Sequence, residues 1–362
     1  MEEMLLNMGP QHPSTHGVLR LILHLDGELV ISVDPVIGYL HRGMEKIAEN
    51  RTYLQMLAMM SRMDYLSGIF MEWAYVRAVE DLMDLELPPR AEYLRVITAE
   101  LNRIMSHHVA IGDFMLNLGS WTPFFWTFRD REIAMDLIEM VTGQRMMYNY
   151  MRVGGVRYDL PDEFEPACRE FLDYFPAKID EYEKLITYNE IFLSRTLGMG
   201  VIPPHEAVSQ GLSGPNLRGS GVKWDLRRAE PYSVYDEFDF EVPVGTWGDA
   251  FDRYKCRIEE MRQSVRIIRQ ALDGLPDGPV NVKTPPMLRP PAGSIYRAVE
   301  SPRGEWGVYM VSNGGLRPWR LKMRDASFVA ISMLPRLLAG NKIADLIAIG
   351  GSLDVLMGGT DR

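Results

Sequence analysis

Cysteine is nearly absent from this chain of 362 residues, since only Cys168 and Cys256 occur. The two are far apart, each lies in a segment with helical patterning, and they form no CxxC pair. The chain therefore lacks the thiolates that an iron–sulfur cluster or a structural zinc site requires. No disulfide framework is predicted, which fits a reducing compartment.

Long apolar runs and an excess of basic residues are also missing. No uninterrupted run of about eighteen apolar residues occurs, which argues against a membrane-spanning helix. The formal net charge of −10 disfavours nucleic acid and anionic lipid headgroups as partners. Gly211, Gly214, Gly219 and Gly221 lack a strand–turn–helix context, so they do not predict a dinucleotide-binding fingerprint.

The patterning that is present predicts a mainly helical α+β protein. Residues 18–33 alternate and break at Asp26-Gly27, which predicts a hairpin. Helical periodicity follows, most clearly over 90–115, where apolar residues recur at spacings of three and four. Further helices are predicted near 37–60, 65–84, 124–150, 163–192 and 247–273, and strands over 294–299 and 306–323 with a turn at Asn313-Gly314-Gly315.

We therefore predict one integrated domain with a central helical bundle and a small antiparallel sheet built from both chain ends. Its three parts are a hairpin and loop over 1–35, a bundle over 36–275, and C-terminal strands and a helix over 276–362. Residues 198–245 are rich in Gly, Pro and Asn and are predicted to form a long ordered loop.

The segment from Gly9 to Arg20 presents two imidazoles, His12 and His16, in a stretch that cannot be helical. Pro10 and Pro13 fix their own backbone and restrict the residues before them. A stiff loop with His, Ser and Thr side chains suits a binding site that needs fixed donors. A surface loop whose histidines cap nearby backbone is the alternative.

Several further motifs, in this order, resemble the quinone-site subunit of respiratory complex I, the 49-kDa or D subunit family. The resemblance runs from about residue 5 to Arg362, and its motifs are Gly38-Tyr39-Leu40-His41-Arg42-Gly43-Met44-Glu45-Lys46, Arg51-Thr52-Tyr53-Leu54-Gln55, Arg62-Met63-Asp64-Tyr65-Leu66, Thr122-Pro123-Phe124-Phe125, Arg152-Val153-Gly154-Gly155-Val156 and Arg303-Gly304-Glu305. It implies the fold of nickel–iron hydrogenase large subunits.

Hydrogenase large subunits hold their metals with two CxxC pairs, and the matching segments here, 62–65 and 352–357, contain no cysteine. The resemblance places a quinone head-group at this vacated site. It implies that His16 and Tyr65 hydrogen-bond the quinone, with His12, Thr15 and Asn117 in support. A core tyrosine with a satisfied hydroxyl is the alternative for Tyr65.

Arg42 and Arg62 match positions close to the terminal iron–sulfur cluster of a partner subunit. Positive charge beside a cluster stabilises its reduced form. Capping of a helix, or pairing with Glu45 or Asp64, is the alternative for these arginines. His107 and His108 are adjacent on a predicted helix and point about 100° apart, so no metal ligand is assigned.

The resemblance implies a peripheral subunit on the cytoplasmic side of the cell membrane, not active alone. Its partners would be the iron–sulfur B subunit, the C and I subunits, and the membrane-embedded H subunit. Quinone is the substrate, and the cluster and a flavin (FMN or another) belong to partners. The short connection between Pro285 and Arg303 leaves NADH, deazaflavin or ferredoxin open as donor, and a non-catalytic scaffold is a further alternative.

This chain departs from its relatives at two positions. Most relatives carry an aspartate where Asn117 stands, bonded to the quinone histidine. A neutral amide can orient His16 without raising its pKa, so we expect His16 to be more often neutral. Many relatives also carry a histidine where Met147 stands, and that histidine makes the cluster potential pH-dependent.

Because methionine does not titrate, we predict a cluster potential that varies little with pH. Redox titration of the cluster in the assembled complex at several pH values checks this. Met147→His should introduce a pH dependence, and Met146→His next to it serves as the control. A steep pH dependence in the unmodified complex would contradict the prediction.

Overall fold

The computed structural model describes residues 3–10 and 17–362, and helices dominate it. The α-helices are α1 (Met44–Ala48), α2 (Tyr53–Met60), α3 (Gly68–Leu82), α4 (Pro89–Asn117), α5 (Trp121–Thr142), α6 (Phe164–Tyr182), α7 (Glu190–Thr196), α8 (Pro204–Ser209), α9 (Gly214–Gly219), α10 (Leu226–Ala229), α11 (Ala250–Asp273), α12 (Ala326–Ser332), α13 (Leu334–Leu338), α14 (Ile343–Leu353) and α15 (Met357–Asp361). The strands are β1 (Glu3–Met8), β2 (Arg20–Asp26), β3 (Leu29–Val36), β4 (Met151–Arg152), β5 (Gly155–Val156), β6 (Gly293–Ser301), β7 (Gly304–Ser312) and β8 (Arg320–Arg324).

Helix α4 is the longest and lies at the centre, packed against α5 and α11. Pro89 starts it at a position where the missing N–H costs nothing. Leu94, Ile97, Leu101 and Ile104 are fully buried, as their spacing predicts. Helix α11 begins after Asp249, whose side chain accepts from the backbone N–H of Asp252 at 2.9 Å. The mainly helical α+β class is confirmed.

The N-terminal hairpin is confirmed, with its turn at Gly27 (φ 62°) between β2 and β3. Strand β1 adds to β2, so that the first sheet has the order β1-β2-β3 and all its pairs are antiparallel. Leu21, Leu23 and Leu25 of β2 are buried. They form an apolar core with side chains of α13 and α14 from the other end of the chain.

The prediction of a single sheet from both chain ends is wrong. Strands β6, β7 and β8 form a second antiparallel sheet that packs on α3. The two ends still meet, since Leu29 bridges to Lys342. The turn predicted at Asn313-Gly314-Gly315 does separate two strands, β7 and β8, and the connection between them extends to residue 319.

Two predicted helices are shorter than expected. The helix predicted over 124–150 ends at Thr142, because Gly143 adopts a left-handed conformation (φ 74°). The segment predicted as one helix over 163–192 consists of three parts. Helix α6 ends at Tyr182, a π-helical turn follows over Glu183–Thr187, and α7 then begins. The predicted loop over 198–245 contains α8, α9 and α10, and it buries apolar side chains such as Tyr235.

Among residues 3–10 and 17–362, no helix combines the length and the apolar character needed to cross a bilayer.

Candidate functional site

Tyr65 lies in the wall of a cavity of about 220 Å³ formed where the two ends of the chain approach α4. The side chain is 40% exposed, so it is not a sealed core tyrosine. We call this space the Tyr65 cavity, and its lining is Gly17, Tyr65, Leu66, Val109, Ala110, Asp113, Arg303, Asp354, Val355 and Leu356. Apolar groups and a few charged groups therefore share one small space, as in many small-molecule sites.

The turn between α2 and α3 fixes the position of Tyr65. The carboxylate of Asp64 accepts from the backbone N–H groups of Leu66 and Ser67, both at 3.0 Å. Asn102 of α4 donates to the carbonyl oxygen of Leu66 at 2.9 Å. Tyr65 is thus followed directly by residues whose backbones are anchored to the buried side chains of Asp64 and Asn102.

Arg303 joins the two segments that the sequence matched to the thiolate-bearing segments of hydrogenases. Its guanidinium contacts the carboxylate of Asp64 at 2.7 Å and that of Asp354 at 3.1 Å. It also donates to the backbone oxygen of Asp354 at 3.0 Å and to the hydroxyl of Ser106 at 3.2 Å. Arg303 is 3% exposed, so a buried ion bridge connects these segments.

Close backbone packing sets the position of Arg303. The following residue, Gly304 (φ 127°), lies against Gly214 at the start of α9. A Cβ atom on Gly214 would come within 2.5 Å of the Cα of Gly304, which no side chain tolerates. The turn between β6 and β7 is therefore fixed on the helical body, and Arg303 points from it into the interior.

Burial, more than the nearby charges, favours the protonated form of the Tyr65 hydroxyl. Burial raises the pKa of the phenol, the Arg303 guanidinium lowers it, and the carboxylates of Asp64, Asp113 and Asp354 raise it. The net direction is upward from a value already near ten. At neutral pH Tyr65 is therefore a hydrogen-bond donor toward the cavity.

Asp113 is a charged side chain of the cavity wall that the sequence reasoning did not single out. It lines the Tyr65 cavity, and the side-chain amide of Asn117 donates to its Oδ2 at 3.0 Å. The two residues are one helical turn apart on α4, so their spacing alone gives this contact. Although position 117 carries an amide, α4 therefore still supplies a carboxylate to the cavity, that of Asp113.

The predicted residues His12, Thr15 and His16 lie outside the described part of the chain, and their roles stay predictions. Gly17, which follows His16 in the sequence, has a left-handed backbone (φ 107°) and lines the cavity.

Arg42 and Arg62 lie next to each other. Arg42 donates to the carbonyl oxygen of Arg62 at 2.9 Å, and Arg62 donates to the carbonyl oxygen of Ala58 in α2. The alternative that they pair with Glu45 or Asp64 is wrong, whereas helix capping is found for Arg62, because Ala58 is in the last turn of α2. Those carboxylates contact Lys322 at 3.0 Å and Arg303 at 2.7 Å instead.

Burial lowers the pKa of Arg42, and the neighbouring charge of Arg62 lowers it further, while Asp361 opposes both. Within residues 3–10 and 17–362 no carboxylate forms a salt bridge with either arginine. The two guanidinium groups therefore form a local concentration of positive charge.

Within the same described residues, no group of three metal-ligating side chains comes together. Burial raises the pKa of the Cys168 and Cys256 thiols to about 12. His107 and His108 contact different partners, since His107 bonds Glu260 at 2.8 Å and His108 lies 3.4 Å from the Tyr182 hydroxyl.

Comparison with known proteins gives a family match and many relatives. Residues 117–290 and 285–362 match the family described as respiratory-chain NADH dehydrogenase, 49 Kd subunit. The chain is 53% identical over 360 residues to the D subunit of the NADH-quinone oxidoreductase of Desulforamulus reducens, covering 99% of this chain and 98% of the relative. The D subunit of the Clostridium beijerinckii enzyme is 51% identical, with 100% and 98% covered. The H subunit of the NAD(P)H-quinone oxidoreductase of Thermosynechococcus vestitus is 50% identical, also with 100% and 98% covered.

We predict that Arg303→Met destabilises the protein by about 3–5 kcal/mol, because it leaves the Asp64 and Asp354 carboxylates buried without their cation. Thermal unfolding of the subunit within the purified complex measures this. Arg320→Met is the control, because that arginine pairs with Glu49 at the surface and contributes about 0–1 kcal/mol. Equal midpoints for the two variants would contradict the role of the ion bridge.

Proposed function

Because the chain belongs to the family of the 49-kDa subunit of respiratory-chain NADH dehydrogenases, we propose that it forms the quinone head-group site of a proton-translocating NADH:quinone oxidoreductase. The observation that carries this proposal is the Tyr65 cavity, in which a protonated phenol faces a small space with mixed apolar and charged walls. A non-catalytic scaffold would have no need of such a space.

Quinone reduction requires hydrogen-bond and proton donors in the cavity. Reduction of a quinone takes two electrons and two protons, and donors close to the carbonyl oxygens stabilise the charge that develops there. Tyr65 donates to one carbonyl oxygen. His16, the residue before Gly17, supplies the second donor, with His12 and Thr15 in support, because an imidazole titrates near neutral pH.

Asp113 provides the negative charge that Asn117 does not. A carboxylate near an imidazole favours the imidazolium. In this proposal His16 works beside Asp113, and Asn117 positions the Asp113 carboxylate through their hydrogen bond of 3.0 Å. The expectation that His16 is more often neutral stays a prediction, and a charged pair with the carboxylate one turn earlier on α4 is the alternative that we propose.

In this proposal, Arg42 and Arg62 lie on the side of the site that faces the partner's iron–sulfur cluster. Their adjacent positive charges favour the reduced, more negative state of a nearby cluster and so support electron transfer to the quinone. The iron–sulfur B subunit carries that cluster, and the C, I and H subunits complete the surroundings. The chain has the same task whether NADH, a deazaflavin or a ferredoxin feeds the flavin or cluster subunits.

The proposed location is peripheral, on the cytoplasmic side of the cell membrane. Contacts with the membrane-embedded H subunit hold the chain there, and the quinone reaches the Tyr65 cavity from that partner.

We predict that Tyr65→Phe lowers quinone reduction by the assembled complex by at least about 100-fold, since it removes a donor aimed at the reacting oxygen. Electron transfer from the donor to ferricyanide should not change, which shows that the complex is intact. Tyr188→Phe is the control, because Tyr188 is 72% exposed. Full quinone turnover in the Tyr65 variant would overturn the proposal.

A second prediction concerns Asp113. Asp113→Asn should lower quinone reduction and shift its pH dependence, because the imidazole loses its carboxylate. The double variant Asp113→Asn with Asn117→Asp moves the carboxylate by one turn and should restore much of the activity. Kinetics as a function of pH measure both effects. An Asp113→Asn variant with the unmodified profile would show that this carboxylate has no part in the reaction.

A further inference from the structure

The interface of α4 and α11 is charged although it is completely buried. Glu100, Arg103 and His107 of α4 face Arg257 and Glu260 of α11, and all five are at most 3% exposed. Most of the charges are paired. Arg103 contacts Glu100 at 3.1 Å, and Glu260 contacts both His107 at 2.8 Å and Arg218 at 2.6 Å. The mechanism proposed above makes no use of this interface.

A complementary set of polar atoms at one end of the interface has no hydrogen-bond partner among the described residues. The donors are Nε and Nη2 of Arg257 and Nη1 of Arg103, and the acceptors are Nδ1 of His107, Oδ2 of Asp354 and Oδ1 of Asn216. Leaving a buried polar group without a partner costs about 1–3 kcal/mol, and more for a charged group. Such groups are normally satisfied by ordered water.

Arg257 and Asn216 both reach the C-terminal end of α14 next to Asp354. Nε of Arg257 lies 3.9 Å from Oδ2 of Asp354, which is too long for a hydrogen bond. Nη1 of Arg257 donates to the Ser352 carbonyl oxygen at 2.8 Å, and Asn216 donates to that of Leu353 at 3.0 Å. His107 lies beside them, since its Nε2 bonds Glu260 at 2.8 Å, and Glu260 is one helical turn after Arg257 on α11.

This place adjoins the Tyr65 cavity. Asp354 and Arg303 line the cavity on one side. On the other side, Oδ2 of Asp354 faces Arg257, and the hydroxyl of Ser106, the residue before His107, accepts from Arg303. The Asp354 carboxylate therefore lies between the cavity and the α4–α11 interface.

We propose that ordered water fills the space between Arg257, Asp354 and His107, and that His107 exchanges protons with the Tyr65 cavity through this water. The inference rests on the proposed quinone site and extends it inward. Water bonded to Nδ1 of His107 at one end and to Oδ2 of Asp354 at the other has the two to four partners that a buried water needs.

The exchange gives the quinone a local source of protons. A bound head-group closes a cavity of about 220 Å³ and separates it from solvent. One of the two protons that the reduction requires then passes from the His107 imidazolium through water and past Asp354 to a quinone oxygen, leaving neutral imidazole. The other comes from the His16 donor of the proposed quinone site. The electrons come from the partner's iron–sulfur cluster. When the quinol leaves, the imidazole takes a proton from solvent along the same water.

The charged groups around His107 set the pH dependence. Burial lowers the pKa of His107, the hydrogen bond and charge of Glu260 raise it, and Arg103 and Arg257 lower it. Arg218 of α9 holds Glu260 from the far side, and Arg303 and Asp354 face the water. Since the net direction is downward, His107 carries its proton only in the acid range, and its contribution increases as pH falls.

His107→Gln in the assembled complex tests the inference. Glutamine can still donate to Glu260 but does not titrate. We expect quinone reduction at acid pH to fall by roughly tenfold, less than for a group that transfers a proton directly to substrate, and the acid-side increase to disappear. Ferricyanide reduction should not change. His108→Gln is the matched control, because that neighbouring buried ring contacts Tyr182 and Phe175 instead and should leave the profile unchanged.

An assembled His107→Gln variant with the unmodified pH profile would overturn the inference. If Tyr65→Phe, prepared and assayed in the same way, does not reduce quinone, the proposed quinone site is supported and only the proton exchange with His107 is contradicted. If Tyr65→Phe is fully active, the quinone site fails first. Should His107→Gln not assemble, a cryo-EM map of the unmodified complex that shows ordered water decides: density bonded to Asp354 Oδ2 and Arg257 Nε supports the inference, and its absence there overturns it.

Discussion

The buried ion bridge of Arg303 with Asp64 and Asp354 is the interaction on which the site depends. It joins the turn before α3 to the segment after α14, and these lie almost three hundred residues apart in the sequence. A buried charge is tolerated only when it is paired and hydrogen-bonded. The bridge therefore fixes both segments at once, and the Tyr65 cavity is the space that remains between them.

Close packing and hydrogen bonds around the bridge hold its groups in fixed positions. Gly214 and Gly304 approach so closely that neither can carry a side chain, which locks the turn bearing Arg303 on α9. Asn102 and Asp64 both hold the backbone of Leu66, the residue after Tyr65. Rigid support of this kind keeps a donor aimed at one place, which electrostatic stabilisation of a reacting oxygen requires.

The sequence predicted the elements whose signals are local. The apolar spacing of Leu94, Ile97, Leu101 and Ile104 gave α4, and Asp26-Gly27 gave the first hairpin. The division of the terminal strands between separate sheets could not be predicted, because strand patterning does not say which strand pairs with which. Tyr65 came from a motif resemblance. Asp113 was missed, since an acidic residue near a helix end has no distinctive pattern, although its spacing from Asn117 was available. The bridging position of Arg303 depends on contacts across the whole chain.

The central claim is that a quinone head-group occupies the Tyr65 cavity. Its most direct test is a cryo-EM structure of the assembled complex with a bound short-chain quinone. The account predicts head-group density in this cavity, with one carbonyl oxygen within hydrogen-bond distance of the Tyr65 hydroxyl. Head-group density elsewhere in the complex, with the cavity filled by side chains, would contradict it.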